Sequence, residues 1–415
     1  MTAYVSRRNF LVASGTGAAA LCVSGQAGGY TGAEMRARAE DDSLVGISKW
    51  DLETPALCVD VDRLTRNISA MQAKLAPMKV ASRPHAKTHK CPTIAKLQLA
   101  SGSVGICTAK LGEAEVFAAS GVQPILMTTS NVSASKIRRA IALRKSNPQF
   151  VQAVDHPDNA RDLDAAAKTA GVVADVVIDV AVGTRSGVPA GQQALALGQL
   201  VDTLPNLRLR GIISYDGGAQ HIKGFKNRLD QTLNRFAPSL ETFDRFQKSG
   251  LNTEIFSGGG TGTYNILPRA GHVTDLQVGS YIFMDRQYND CALTPEDSGA
   301  APRPFETSLM IDSRVISASY PMLVTVDAGL KAMATEAGAP PILAGAAEGS
   351  AYRFMGDEHG AIVPPMGMAP PQLGERVTLG APHCDPTVNL YEAYHVVRGD
   401  TLEAIWPVTA RGRSA

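Results

Sequence analysis

The chain has 415 residues, of which 44% are hydrophobic and 19% are charged, and its net charge is +1. This length allows either two ordinary domains or one large barrel with a smaller domain. The near-neutral charge, with no basic stripe carrying interleaved aromatic residues, argues against nucleic acid as a partner. The six cysteines are scattered and form no CxxC pair, so neither a disulfide framework nor a four-thiolate zinc site is expected.

Residues 1–45 resemble an export signal followed by a linker. The motif Arg7-Arg8 precedes Phe10 and a short, weakly apolar run that ends near Val23. This order is typical of a twin-arginine signal, whereas the alternative is a disordered basic tail. The apolar run is too short to span a bilayer. We therefore expect a periplasmic protein with no membrane segment in its mature form.

From residue 52 onward, strand-like segments alternate with amphipathic helical segments. A strand near 52–60 is followed by apolar residues at helical spacing over 61–75. Eight further strand-like runs follow, at 78–82, 104–108, 124–129, 149–154, 174–180, 209–215, 254–256 and 276–283. Eight alternating strands predict a (β/α)8 TIM barrel over residues 46–300, and the alternative is a doubly wound open sheet.

After about residue 302 the helical spacing fades and short strand-like runs replace it. Five such runs are visible, at 305–317, 322–327, 376–379, 392–397 and 402–406. They predict a second, β-rich domain over residues 301–415. We expect the strand near 52–60 to join this second domain rather than the barrel.

The most distinctive stretch is Arg83–Lys90, with the sequence RPHAKTHK, directly after the first barrel strand. Barrel enzymes build their active sites at the C-terminal ends of the strands, so this concentration of nitrogen groups favours chemistry over a solvated basic turn. Lys87 could form a Schiff base with a carbonyl cofactor or substrate. Arg185 and Tyr215 also follow strands and could contact a cofactor ring. The alternatives for these two residues are an ordinary salt bridge and a core tyrosine.

Two glycine-containing segments near the end of the barrel suggest a phosphate site. The residues concerned are Ser257, Gly258, Gly259, Gly260 and Thr261 after the seventh strand, and Gly279, Ser280 and Tyr281 in the eighth. Such segments expose backbone N–H groups to an anion, and phosphate sites after strands seven and eight recur in barrels. A lysine at one strand end and a phosphate site at two others suggest pyridoxal 5'-phosphate.

His383 and Asp385 lie two positions apart in the β-rich domain. On an extended run, both side chains would point the same way. An imidazole together with a carboxylate suits Mg²⁺, Mn²⁺ or a similar divalent metal. The alternative is a surface hydrogen-bonded pair.

In combination, four segments resemble the D-threonine aldolase and D-serine dehydratase group of alanine-racemase-like, fold type III pyridoxal phosphate enzymes. These segments are Arg83–Lys90, Ser257–Tyr264, Leu276–Asp285 and His383–Leu390. The resemblance extends from about Thr54 to Gly412. It implies a (β/α)8 barrel that holds the cofactor, a β domain that carries a metal, and pairing of two copies into a homodimer.

The resemblance also implies roles for single residues. It makes Lys87 the Schiff-base lysine, places His85 at the cofactor and His221 near the substrate as an assisting base, and assigns the metal to His383 and Asp385. Dehydratases of this group usually carry Cys, with zinc, at the position of Asp385, so the carboxylate resembles the aldolase branch.

The sequence therefore predicts an aldolase, dependent on pyridoxal phosphate and a divalent metal, that acts on a small amino-acid substrate. It would cleave β-hydroxy-D-amino acids of the D-threonine type to glycine and an aldehyde. Alternatives within the class are a β-hydroxy-D-aspartate aldolase and a D-serine-type dehydratase. From another class, a non-catalytic pyridoxal phosphate carrier resembles the barrel alone, and the additional β domain argues against it.

Overall fold

The computed structural model of the chain describes residues 32–40, 44, 46–295 and 303–415. The expected twin-arginine motif with its apolar run, and the predicted domain boundary near residue 300, lie outside these ranges. Within the described ranges, no helix is both long and apolar enough to span a membrane.

Eight parallel strands curl into a TIM-like barrel, in the spatial order β2-β9-β8-β7-β6-β5-β4-β3. Their bounds are β2 Ala81–Ser82, β3 Ile106–Thr108, β4 Ile125–Met127, β5 Phe150–Val154, β6 Ala174–Asp179, β7 Leu207–Ser214, β8 Ile255–Gly258 and β9 Asp275–Leu276. The ring closes beside β2 and β3, where Val104 N donates to Ser82 O at 3.0 Å and Cys107 N donates to Pro84 O at 2.8 Å. The predicted (β/α)8 barrel is confirmed, and the open sheet is wrong.

Helices surround this barrel. Their apolar residues recur at helical spacing and so form one face of each helix, which packs on the barrel. In α2 (Val61–Leu75), Asp60 Oδ1 accepts Arg63 N at 3.0 Å as an N-cap, and the buried side chains of Leu64, Ile68 and Leu75 face the core. The helices of this part of the chain are α1 Gly32–Glu40, α2 Val61–Leu75, α3 Pro92–Ala100, α4 Leu111–Ala119, α5 Ala134–Ser146, α6 Pro157–Ala170, α7 Gln192–Thr203, α8 Phe225–Lys248 and α9 Arg286–Asn289.

The inside of the barrel is filled by side chains that alternate along the strands. Apolar residues from neighbouring strands form one buried cluster, which consists of Cys107, Leu126, Val151, Ala153, Val177, Ile213 and Ile255. Arg83, directly after β2, forms a buried ion pair with Asp275 at the start of β9, with Arg83 Nε 3.0 Å from Asp275 Oδ1. The barrel is therefore packed, and its C-terminal end is the place left for chemistry.

The second sheet runs in the order β13-β14-β11-β10-β1-β16-β17, with β15 pairing both β10 and β12. Its strands are β1 Ala56–Asp60, β10 Leu309–Tyr320, β11 Leu323–Val326, β12 Ile342–Ala344, β13 Ala351–Phe354, β14 Gly360–Val363, β15 Arg376–Gly380, β16 Ala393–Arg398 and β17 Thr401–Pro407. Strand β1 lies inside this sheet, because Cys58 pairs antiparallel with Met310 and parallel with His395.

Two expectations about individual strands are wrong. The eighth barrel strand was expected over 276–283, but it ends at Leu276, and Ser280–Ile282 forms a 3-10 turn. The chain bends at Gly279, where a Cβ atom would lie 2.4 Å from Thr88 Oγ1. The β-rich domain also contains β12, β13 and β14 in addition to the five expected runs. These three strands have only three or four residues each, too short for a clear alternation.

Candidate active site

Lys87 lies on the 3-10 turn Ala86–Thr88, which follows β2 at the C-terminal end of the barrel. The backbone before Lys87 is hydrogen-bonded to the segment that follows β9, because His85 N donates to Val278 O at 2.9 Å. The Lys87 ammonium donates a hydrogen bond to the carboxylate of Asp385, which belongs to the β-rich domain. The candidate active site therefore lies where the two domains meet.

The ion pair between Lys87 and Asp385 shifts the pKa of both groups. Burial by itself would lower the pKa of Lys87 and raise that of Asp385. The attraction between the opposite charges outweighs burial in each case, so the pKa of Lys87 is raised and the pKa of Asp385 is held well below its usual range. Both groups are therefore charged together at neutral pH.

Asp385 lies on the short helix α10 (Cys384–Val388), with His383 at its N-cap. The expectation that His383 and Asp385 share an extended run is therefore wrong: only His383 has extended backbone. A helical start here agrees with Pro386, because proline is favoured in a first helical turn. The turn is fixed to the barrel, since Cys384 N donates to Asp285 Oδ2 at 2.9 Å.

A cavity of about 330 Å³ lies beside Lys87, and Arg185 and Tyr215 are among its lining residues. The Arg185 guanidinium carbon lies 5.2 Å from the centre of the Tyr215 ring, a cation–π contact. His85 lines the same cavity, and its Nε2 is 3.3 Å from Thr128 Oγ1. Burial, together with the nearby Lys87 charge, lowers the pKa of His85 to about 3, so its ring is neutral.

The two glycine-containing segments lie together next to the turn of Lys87. In the first segment, Ser257 and Gly258 end β8, and Gly259 and Gly260 follow. The two segments are joined by a hydrogen bond, in which Tyr281 N of the second donates to Thr261 Oγ1 of the first at 3.1 Å. In that second segment Gly279 lies against Thr88, and Ser280 is buried beside it. A Cβ atom at Gly260 would lie 2.7 Å from Gln220 Oε1, so a larger residue there would displace the Gln220 side chain.

His221 ends a 3-10 turn (Gly218–His221) and lies against Tyr288, with the ring centres 4.5 Å apart. Its buried Nε2 has no hydrogen-bond partner among the described residues. Burial first, and then electrostatic interaction with the nearby His383, lowers the pKa of His221 to about 4. His221 is therefore a neutral base, close enough to His383 and Asp385 for both to influence its pKa.

The alanine racemase N-terminal domain model matches residues 59–287, more than half of the chain, and a putative serine dehydratase domain model matches residues 308–397. The chain belongs to the alanine-racemase-like, fold type III pyridoxal phosphate enzymes. The two matched segments correspond to the barrel with its helices and to most of the second sheet.

Several members of this family are similar over nearly their whole length. A D-threonine aldolase of Arthrobacter sp is 36% identical over 364 residues, covering 88% of this chain and 94% of the relative. A 3-hydroxy-D-aspartate aldolase of Paracoccus denitrificans is 34% identical over 376 residues, covering 89% and 95%. The crystal structure of D-threonine aldolase from Filomicrobium marinum superposes with a TM-score of 0.83 at 34% identity, covering 89% of this chain and 98% of that one.

The residues of this family member fit pyridoxal phosphate. The cavity beside Lys87 is lined by an aromatic ring and a guanidinium, from Tyr215 and Arg185. The buried Nδ1 of His85 has no hydrogen-bond partner among the described residues, so it is free to meet a ligand. Gly260 and Gly279 let the two segments pack against Gln220 and Thr88, which brings two glycine-containing backbone segments, of the kind that bind phosphate, next to the turn of Lys87.

The fit to a divalent metal depends on fewer groups. His383 and Asp385 offer one nitrogen and one oxygen donor, which suits Mn²⁺ or Mg²⁺. In the described part of the chain, no group of three or more His, Cys, Asp or Glu side chains is arranged to hold a metal. A metal at these two side chains would need further ligands, such as oxygen atoms of water or substrate.

Four residues near the site were not singled out from the sequence. Gln277 Nε2 donates to Ser257 Oγ at 3.2 Å, and Tyr288 lies against His221. Asp179 lines the cavity, and burial raises its pKa to about 6. Glu336 Oε1 lies 2.5 Å from His383 Nδ1. Asp179 and Gln277 lie at or directly after the C-terminal ends of barrel strands, so their positions in the sequence could have indicated them. No local sequence pattern marks Glu336.

Proposed function

We propose that this chain is an aldolase, dependent on pyridoxal phosphate and a divalent metal, that cleaves β-hydroxy-D-amino acids to glycine and an aldehyde. The observation that carries the proposal is the contact between Lys87 of the barrel and Asp385 of the β-rich domain. It brings the residue that would hold the cofactor next to a residue that would hold the metal. The similar proteins named as aldolases of D-configured β-hydroxy amino acids support the same reaction class.

The cofactor would be held by residues at the C-terminal end of the barrel. Lys87 would hold it covalently, with Arg185 and Tyr215 at its ring and the segments that contain Gly260 and Gly279 at its phosphate. When bound, pyridoxal phosphate supplies an electron sink for the bond that breaks at Cα. His85, with its neutral ring, would contribute an uncharged hydrogen-bonding group to this site.

Retro-aldol cleavage requires that the β-hydroxyl group loses its proton as the Cα–Cβ bond breaks. His221 suits this transfer, because its ring is neutral at pH 7 and its buried Nε2 has no hydrogen-bond partner in the described part of the chain. A metal at His383 and Asp385 would supply a Lewis acid. The carboxylate of Asp385 is a harder ligand than a thiolate and favours Mn²⁺ or Mg²⁺ over zinc.

Within this class we infer that D-threonine is a substrate, because a carboxylate at position 385 resembles the aldolase branch. The test is product identification by mass spectrometry after incubation of the purified, cofactor-loaded protein with Mn²⁺ and D-threonine. Glycine and acetaldehyde, with L-threonine unreactive, are expected. Ammonia and 2-oxobutanoate without glycine would assign a dehydratase. Cleavage of 3-hydroxy-D-aspartate alone would assign the other aldolase.

We also propose that the protein is exported in its folded state and functions as a periplasmic homodimer. The paired arginines Arg7 and Arg8 support export by the twin-arginine route, which carries folded cargo and so suits an enzyme that must acquire its cofactor first. Replacing both arginines with lysine should retain the protein in the cytoplasm, and unchanged periplasmic activity would contradict the proposal. A monomeric mass in solution would contradict the dimer.

A further inference from the structure

Glu336 makes a short contact with the histidine of the proposed metal site. Its Oε1 lies 2.5 Å from His383 Nδ1, a short contact of the kind made by hydrogen bonds to an ionised carboxylate. An ionised carboxylate can only accept, so Nδ1 of His383 carries the hydrogen and donates it. In a neutral imidazole with Nδ1–H, the lone pair is on Nε2, the other ring nitrogen.

The segment that carries Glu336 is fixed to the turn that carries His383. The buried hydroxyl of Thr387 donates to His383 O at 2.7 Å and accepts Ala334 N at 3.0 Å. On the C-terminal side of Glu336 in the sequence, Arg286 Nη1 donates to Ala339 O at 2.6 Å. Because both flanks of Glu336 are tied down, its contact with His383 is set by the fold.

We propose that Glu336 is a positioning residue for the metal: it holds His383 in the Nδ1–H tautomer and leaves Nε2 as the atom that binds the ion. This inference rests on the proposed metal site at His383 and Asp385. A carboxylate behind a metal-binding imidazole fixes the orientation of the ring and raises its basicity. Glu336 therefore acts on the metal through His383, without contacting the metal itself.

The Glu336 side chain is 53% exposed and that of His383 is 26% exposed. Even a fully charged pair at such an exposed position contributes at most about 1 kcal/mol to stability, so removing Glu336 leaves the fold intact. This separates the proposed role from a structural one, because metal affinity should change while the melting temperature of the metal-free protein does not.

The test measures Mn²⁺ affinity by competition with a chromophoric chelator, in cofactor-loaded protein without substrate. Glu336→Ala should weaken Mn²⁺ binding by about 10- to 100-fold. Glu336→Gln should restore most of the affinity, because its amide oxygen can still accept Nδ1–H. The cofactor absorbance band should be the same in all variants. Glu358→Ala is the matched control, because Glu358 is a carboxylate of the same domain, 60% exposed and paired with Lys331 at 2.5 Å.

Asp385→Ala is measured in the same assay to separate the possible failures. If Asp385→Ala loses Mn²⁺ and Glu336→Ala binds it as tightly as the unaltered protein, the positioning role is wrong and the metal site stands. If Glu336→Gln loses as much affinity as Asp385→Ala, Glu336 is itself a metal ligand and the proposal is overturned. If neither Asp385→Ala nor Glu336→Ala changes the affinity, the metal site and the positioning role are both wrong.

Discussion

Replacing Lys90 with Met should destabilise the junction between the barrel and the β-rich domain. The Lys90 ammonium lies 3.3 Å from Glu113 Oε1 of α4 and donates to Asn389 Oδ1 at 3.0 Å. The side chains of Lys90 and Glu113 are 10% and 3% exposed. Asn389 follows directly after α10, so this buried charge ties the turn of Asp385 to the barrel.

Methionine keeps the length of the side chain and removes its charge. Removing one partner of a buried ion pair costs about 3–5 kcal/mol. Glu113 Oε2 still accepts Ala109 N at 3.0 Å and Lys110 N at 3.1 Å, which places the loss near the lower limit, about 3 kcal/mol. That energy corresponds to roughly a hundredfold change in the unfolding equilibrium. At about 2 °C per kcal/mol for a large domain, the melting temperature should fall by about 6 °C.

The assay is thermal denaturation followed by circular dichroism. Lys331→Met is the control: Lys331 lies 2.5 Å from Glu358, but its side chain is 64% exposed, so its loss should cost less than about 1 kcal/mol. The double variant Lys90→Met with Glu113→Gln should lose less than the sum of the two single variants. A Lys90→Met protein that melts within 2 °C, or roughly 1 kcal/mol, of the unaltered one would refute the reasoning.

Three further predictions test the site. Borohydride reduction of the cofactor-loaded protein should place the label on Lys87, which lines the cavity; a label on Lys90, found by peptide mass spectrometry, would overturn that assignment. Asp385→Cys should shift metal preference from Mn²⁺ toward Zn²⁺ in competition binding, because a thiolate is a softer ligand; an unchanged preference would place the metal elsewhere. Burial lowers the pKa of His89 to about 4, whereas its pKa in the unfolded chain is about 6.5. As the pH falls from about 6.5 to about 4, the unfolded state therefore takes up a proton that the folded state does not. The free energy of unfolding should decrease over this range. His89→Gln should make this fall less steep in urea titrations at several pH values, and an equally steep fall would show that other groups are responsible.

The barrel could be predicted from the sequence because each strand and helix leaves a local period that repeats along the chain. The end of β9 could not, since the bend at Gly279 depends on Thr88 from a distant segment. The contact between Lys87 and Asp385 joins residues 298 positions apart, so no spacing indicates it. Glu336 was missed for a related reason: a single exposed carboxylate in a loop looks ordinary until the fold brings it to His383.

Strand β1 has a consequence for how the polypeptide is made. It leaves the ribosome before all the barrel strands, yet its two neighbours in the sheet are β10 and β16, near the end of the chain. Until those strands are synthesised, both edges of β1 lack their native partners, and open strand edges invite pairing with other chains. A fragment that ends after the barrel would keep these edges open, and a fragment that begins at β10 would lack an inner strand of its sheet. The two halves are therefore expected to complete folding together, and splitting the gene between them should yield two aggregating products.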